Sequence, residues 1–71
     1  MNAKEMRKVI EEKLINTQKA FREQLKLHGD DNLTKNLAYA SCALSELYED
    51  LFGREEFDKL MEKNFPEIFK D

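Results

Sequence analysis

The chain has little that would punctuate or staple a fold: among its 71 residues are one cysteine, one proline, two glycines and no tryptophan. The single thiol, Cys42, excludes an internal disulfide, and no Cys and His residues stand at zinc-ligand spacing. No apolar run approaches the ~20 residues needed to cross a bilayer. The N-terminus, Met-Asn-Ala-Lys-Glu, runs straight into a charged amphipathic pattern instead of a signal-peptide core, so the expected setting is the cytoplasm, away from membranes. β-branched residues are confined to Val9, Ile10, Ile15, Thr17, Thr34 and Ile68, which leaves too few strand formers for a sheet. Glu, Lys, Leu and Ala fill the positions instead, and all are good helix formers. The fold class is therefore all-α.

Small size sets the next limit. A chain of this length buries only roughly 60% of the surface its unfolded form exposes. Disulfides, metals or oligomerisation usually make up that deficit. With the first two lacking residues to build them, association is expected.

A first helix is predicted over about residues 3–27. Asn2 can cap it, Glu5 stands where a capping-box acid reaches back, and Gly29 lies just past the end. Met6, Ile10, Leu14, Thr17, Phe21 and Leu25 form its expected buried stripe. Asp31 or Asn32 can cap a second helix over about residues 32–52, ended by Gly53. Its stripe, Leu33, Leu37, Ala40, Leu44, Leu47 and Leu51, alternates steps of four and three, and is expected to face the first helix. A third, shorter helix over about residues 54–63 should turn Phe57, Leu60 and Met61 inward before Phe65-Pro66 stops it. Short connections make the two long helices antiparallel neighbours. The architecture expected is one domain over residues 1–71: an antiparallel helical hairpin with a short third helix and an apolar C-terminal arm. Either a three-helix bundle or two hairpins paired as a four-helix dimer satisfies the same stripes.

Several side chains fall outside this scheme. At about 100° per residue, Ala38, Tyr39, Cys42 and Ala43 lie opposite the leucine stripe, and a patch of small residues beside a tyrosine suits a protein interface. Four of the five phenylalanines lie in the last 20 residues; Ile68 and Phe69 there either complete the core or dock another chain. Charge is uneven as well. Residues 1–27 carry a net +3 and residues 28–71 a net −6. Lys4, Lys8, Lys19, Arg22 and Lys26 project to one side of the first helix, a line that could follow phosphates.

The remaining constellations are weaker. An acidic chain without base-reading side chains argues against nucleic acid as a partner, and the leading acids Glu55 and Glu56 would repel phosphates from a recognition helix at Arg54. Glu46, Glu49 and Asp50 share one helical side, but they are expected to be a solvated face and not metal ligands. An antiparallel hairpin keeps His28 and Cys42 roughly 15 Å apart, too far for a dyad. The sequence thus predicts a non-enzymatic protein–protein interaction module without cofactor or metal, of the kind common among regulators, inhibitors and accessory subunits of phages and mobile elements. It should be a homo-oligomer, a dimer by preference, with a further protein partner. Ala38, Tyr39, Cys42, Ala43, Ile68 and Phe69 are the expected contact residues. A phosphate-rich ligand on the basic side of the first helix is the alternative.

Overall fold

Asn2 opens the first helix as its sequence suggests. Its side-chain oxygen accepts from the Glu5 amide at 2.8 Å, while the Glu5 carboxylate takes a bond from the Asn2 side-chain amide at 3.0 Å. The computed structural model describes residues 1–68, and in it helix α1 spans Ala3–His28, α2 Asn32–Phe52 and α3 Arg54–Asn64, followed by one 3-10 turn at Pro66–Ile68. Gly29, at φ 69°, ends α1 and returns its N–H to the Leu25 carbonyl. Asp31 caps α2 by accepting from the Thr34 amide at 2.8 Å. The Thr34 hydroxyl, 2.7 Å from the Gly29 carbonyl, ties the turn back to the helix it has just left.

The two long helices pack side by side and antiparallel: Gln24 reaches Asp31 near the turn, and Arg7 reaches Tyr48 at the far end. Gly53, at φ 94°, reverses the chain, and α3 lies along one side of the hairpin with Leu60 and Asn64 beside Ile15 and Asn16. Leu14, Ile15, Tyr48, Met61 and Phe65 form the buried core, with Ile10, Leu44, Phe52, Phe57 and Leu60 packed around it. The fold is the all-α hairpin with a short third helix. Among the described residues, no helix is long and apolar enough to cross a membrane.

The orientation of α2 differs from the expected one. Thr34, Ser41 and Tyr48, spaced by seven, are its buried residues. Leu33, Leu47 and Leu51 are 52%, 43% and 55% exposed, and Ala40 is exposed too; only Leu37 and Leu44 of the stripe are half-buried. On α1, Met6 and Leu25 are likewise exposed, although both belong to its apolar stripe. The reason is the third helix. To touch both α1 and α3, α2 turns Tyr48 to the centre, where its ring meets Phe52 at 4.8 Å and Phe57 at 6.4 Å between centroids. The small Thr34 and Ser41 are then buried on the same line of α2. A count of apolar residues passes over both.

Candidate interaction faces

Two surfaces emerge from this packing, one sealed by charge and one left apolar. On the side covered by α3, Arg7 gathers groups from all three helices. Its guanidinium donates to Glu56 at 2.9 Å and to the Tyr48 oxygen at 3.1 Å, and its Nε lies 3.3 Å from Glu11. Tyr48 in turn donates to the same Glu11 oxygen at 2.6 Å. The guanidinium also lies over the Phe52 ring at 4.6 Å, a cation–π contact.

Charge and burial shift these groups in predictable directions. The bond from Arg7 holds the Glu56 carboxyl below its ordinary range, with Lys59 adding to the effect. Bonds to Glu56, Tyr48 and Glu11 raise Arg7 still further. Burial pushes the Tyr48 phenol up, reinforced by its bond to Glu11. Each charged group of the cluster is thus occupied by another. Nothing in the spacing of Arg7, Glu11 and Glu56 along the sequence announced this cluster, because its members meet only through the tertiary fold.

A surface depression without an α3 residue in its lining is bounded by Ala3, Met6, Arg7, Ile10, Leu51 and Phe52. Met6, 51% exposed, therefore adjoins Leu51, so the outward edge of the α2 leucine stripe continues onto α1. Val9 is exposed nearby in sequence on α1. This face takes residues from both stripes that the sequence assigns to the core.

The expected contact residues do not gather into one patch. Ala38 and Tyr39 line a shallow groove near the hairpin turn together with Phe21, Leu25, Thr34 and Lys35. Tyr39 is strongly exposed; Cys42 and Ala43 are exposed but do not line that groove. Ile68 is half exposed in the terminal 3-10 turn, and Phe69 lies outside the described residues. Of the basic line on α1, Lys4, Lys8, Lys19 and Lys26 are exposed. Arg22 is half-buried, its guanidinium stacked on the Phe65 ring at 4.5 Å and its Nε buried without a hydrogen-bond partner. One member of that line is therefore engaged in holding the C-terminal segment. Glu46 and Asp50 are exposed, while Glu49 pairs with Arg54 at 2.8 Å.

Comparison with protein-family models, curated proteins and solved structures finds no match to this chain.

Proposed function

We propose that the protein is a non-enzymatic helical interaction module that self-associates and works as a regulator, inhibitor or accessory subunit. The observation that carries this reading is the exposure of the apolar residues Met6, Leu33, Leu47 and Leu51, of which Met6 on α1 and Leu51 on α2 line one depression. Burying such a side chain completely contributes about 1.5–3 kcal/mol, so leaving several half-exposed forgoes a large part of a small domain's stability. The Arg7 cluster supports the same reading. Its charges satisfy one another and anchor α3, which is a structural task.

The test is solution mass by sedimentation across a range of concentrations, for the native chain and for Leu47→Glu. Position 47 is exposed and helical, so the substitution leaves the folded protomer intact while placing a charge on the face. The native chain should sediment as a dimer and the variant as a monomer of unchanged helix content. A native chain that stays monomeric up to several hundred micromolar would sink the proposal.

A further inference from the structure

A single residue separates α2 from α3. Gly53 holds φ 94° and ψ 160°, and the helical ladder is broken only around it. Its N–H still donates to the Glu49 carbonyl at 2.8 Å, closing the last turn of α2, and its carbonyl accepts from the Phe57 amide at 3.2 Å, opening α3. The amides of Arg54, Glu55 and Glu56 lie between, with no backbone or capping partner among the described residues. If Gly53 takes helical angles, these amides meet the carbonyls of Asp50, Leu51 and Phe52 at the spacing of an α-helix. Arg54 then exchanges its pair with Glu49 for one with Asp50, four residues before it on the same helical side. Residues 32–64 become one helix about 50 Å long.

What holds the hinge bent is the docking of α3. Met61 and Phe65, 5% and 4% exposed, fill the core beside Leu14, Ile15 and Tyr48, and Glu56 is the α3 member of the Arg7 cluster. A straightened single chain loses all of these contacts. Two straightened chains recover them, because the dock vacated by each fits the α3 of the other residue for residue. We propose that this dock also receives the α3 of a second copy: two chains straighten at Gly53 and exchange their third helices. Arg7 of each then pairs with the partner's Glu56, and Arg22 of each stacks on the partner's Phe65.

The dock specifies its occupant because α3 is already its ligand. Phe57 beside Tyr48 at 6.4 Å, the Arg22 guanidinium over Phe65 at 4.5 Å and Glu56 on Arg7 at 2.9 Å are contacts of the closed chain, made between chains instead of within one. The hinge decides the balance. One residue has to reverse the chain by itself, and a short, strained hinge favours exchange. Glycine meets the positive φ cheaply, which holds the closed form, and is a poor helix former, which disfavours the straight one. A Cβ at position 53 meets nothing within 4 Å, so substitution there acts on the hinge alone. The exchange goes beyond the association proposed above and does not use the exposed leucines. Because α3 has to leave its dock first, exchange occurs when concentrated chains refold together, and chains folded in dilute solution stay closed.

Cross-linking across the dock tests the exchange. Asn16 on α1 and Asn64 on α3 line one depression, so with Asn16→Cys and Asn64→Cys a short bis-maleimide joins α1 to whichever α3 is docked. A denaturing gel then reads a linked single chain for the closed form and a covalent dimer for the exchanged one. The background carries Cys42→Ser, which removes the native thiol, and Leu47→Glu, which removes association through the exposed leucines. Refolded dilute, this protein should give the linked single chain; refolded at millimolar concentration, it should give covalent dimer as well. Gly53→Ala strains the bend and favours the straight helix, and should raise the dimer fraction roughly tenfold at equal concentration. Inserting Gly-Ser-Gly after Gly53 relaxes the bend and should return the linked single chain alone. A linked single chain from the native hinge at millimolar concentration would overturn the exchange. So would a covalent dimer that the insertion leaves undiminished, since the hinge would then play no part. A dimer by sedimentation whose links all stay within chains would overturn the exchange and leave self-association through another surface standing. Leu47→Glu alone tests the leucine edge, so either reading can fail without the other.

Discussion

Replacing Tyr48 with Phe isolates the contribution of a single hydroxyl to the joint between all three helices. The ring has no exposed surface and keeps its contacts with Phe52 and Phe57 in the variant, so packing is conserved. What disappears is the 2.6 Å bond donated to the Glu11 carboxylate and the 3.1 Å bond accepted from Arg7. Hydrogen bonds to charged groups contribute about 1.5–3 kcal/mol net. Glu11 and Arg7 retain each other, and Arg7 retains Glu56, so no charge is stranded. The expected loss is therefore about 2 kcal/mol. Urea unfolding followed by circular dichroism would read it as a lower midpoint at unchanged slope, with protein concentration held fixed because association adds to apparent stability. In a thermal scan the same loss lowers the Tm by roughly 8–16 °C for a chain of this size. A second signature is alkaline. The folded protein holds the phenol above its ordinary 10.0, so this stabilisation is complete below that pH and is lost as pH rises through the higher folded value. The Phe variant lacks that limb. A loss under ~0.5 kcal/mol, with the alkaline limb intact in the variant, would refute the claim that the hydroxyl joins the helices.

Two further substitutions probe the chain reversals. Asp31→Ala removes the cap of α2 and should lower stability at neutral pH by about 1 kcal/mol in urea unfolding. Bonds from the Thr34 amide and hydroxyl hold the Asp31 carboxyl below its ordinary 3.8, so the native advantage is present above that pH and should vanish as pH falls through the lower folded value. Gly53→Ala adds a Cβ that meets no neighbouring atom. The residue must nevertheless hold φ at +94°, so a loss of about 1–3 kcal/mol in the same assay comes from backbone strain alone.

The helices were legible in the sequence because their limits are local. Asn2, Gly29, Asp31 and Gly53 each act through a hydrogen bond or a dihedral angle within five residues of themselves, so reading neighbours suffices. The inward turn of Met61 and the exposure of Tyr39 were legible for a related reason, since Met61 belongs to the apolar stripe of its helix and Tyr39 lies well away from that of α2.

What only the tertiary structure decided is which part of a broad stripe is covered. On α2 the leucine stripe and the line of Thr34, Ser41 and Tyr48 overlap at Leu37 and Leu44, and periodicity favours the more apolar of the two. Small polar residues can line a helix contact, and a tyrosine hydroxyl can be buried once it finds partners, but those partners lie 37 and 41 residues away in the chain. No local pattern encodes such a meeting. Arg7, Glu11, Tyr48 and Glu56 assemble only when α3 folds back over one side of the hairpin, and its choice of that side leaves Leu33, Leu47 and Leu51 exposed. The sequence alone determined three helices and their apolar stripes. The third helix, by satisfying one flank of α2 at its own end of the bundle, decided which part of those stripes became core and which became surface.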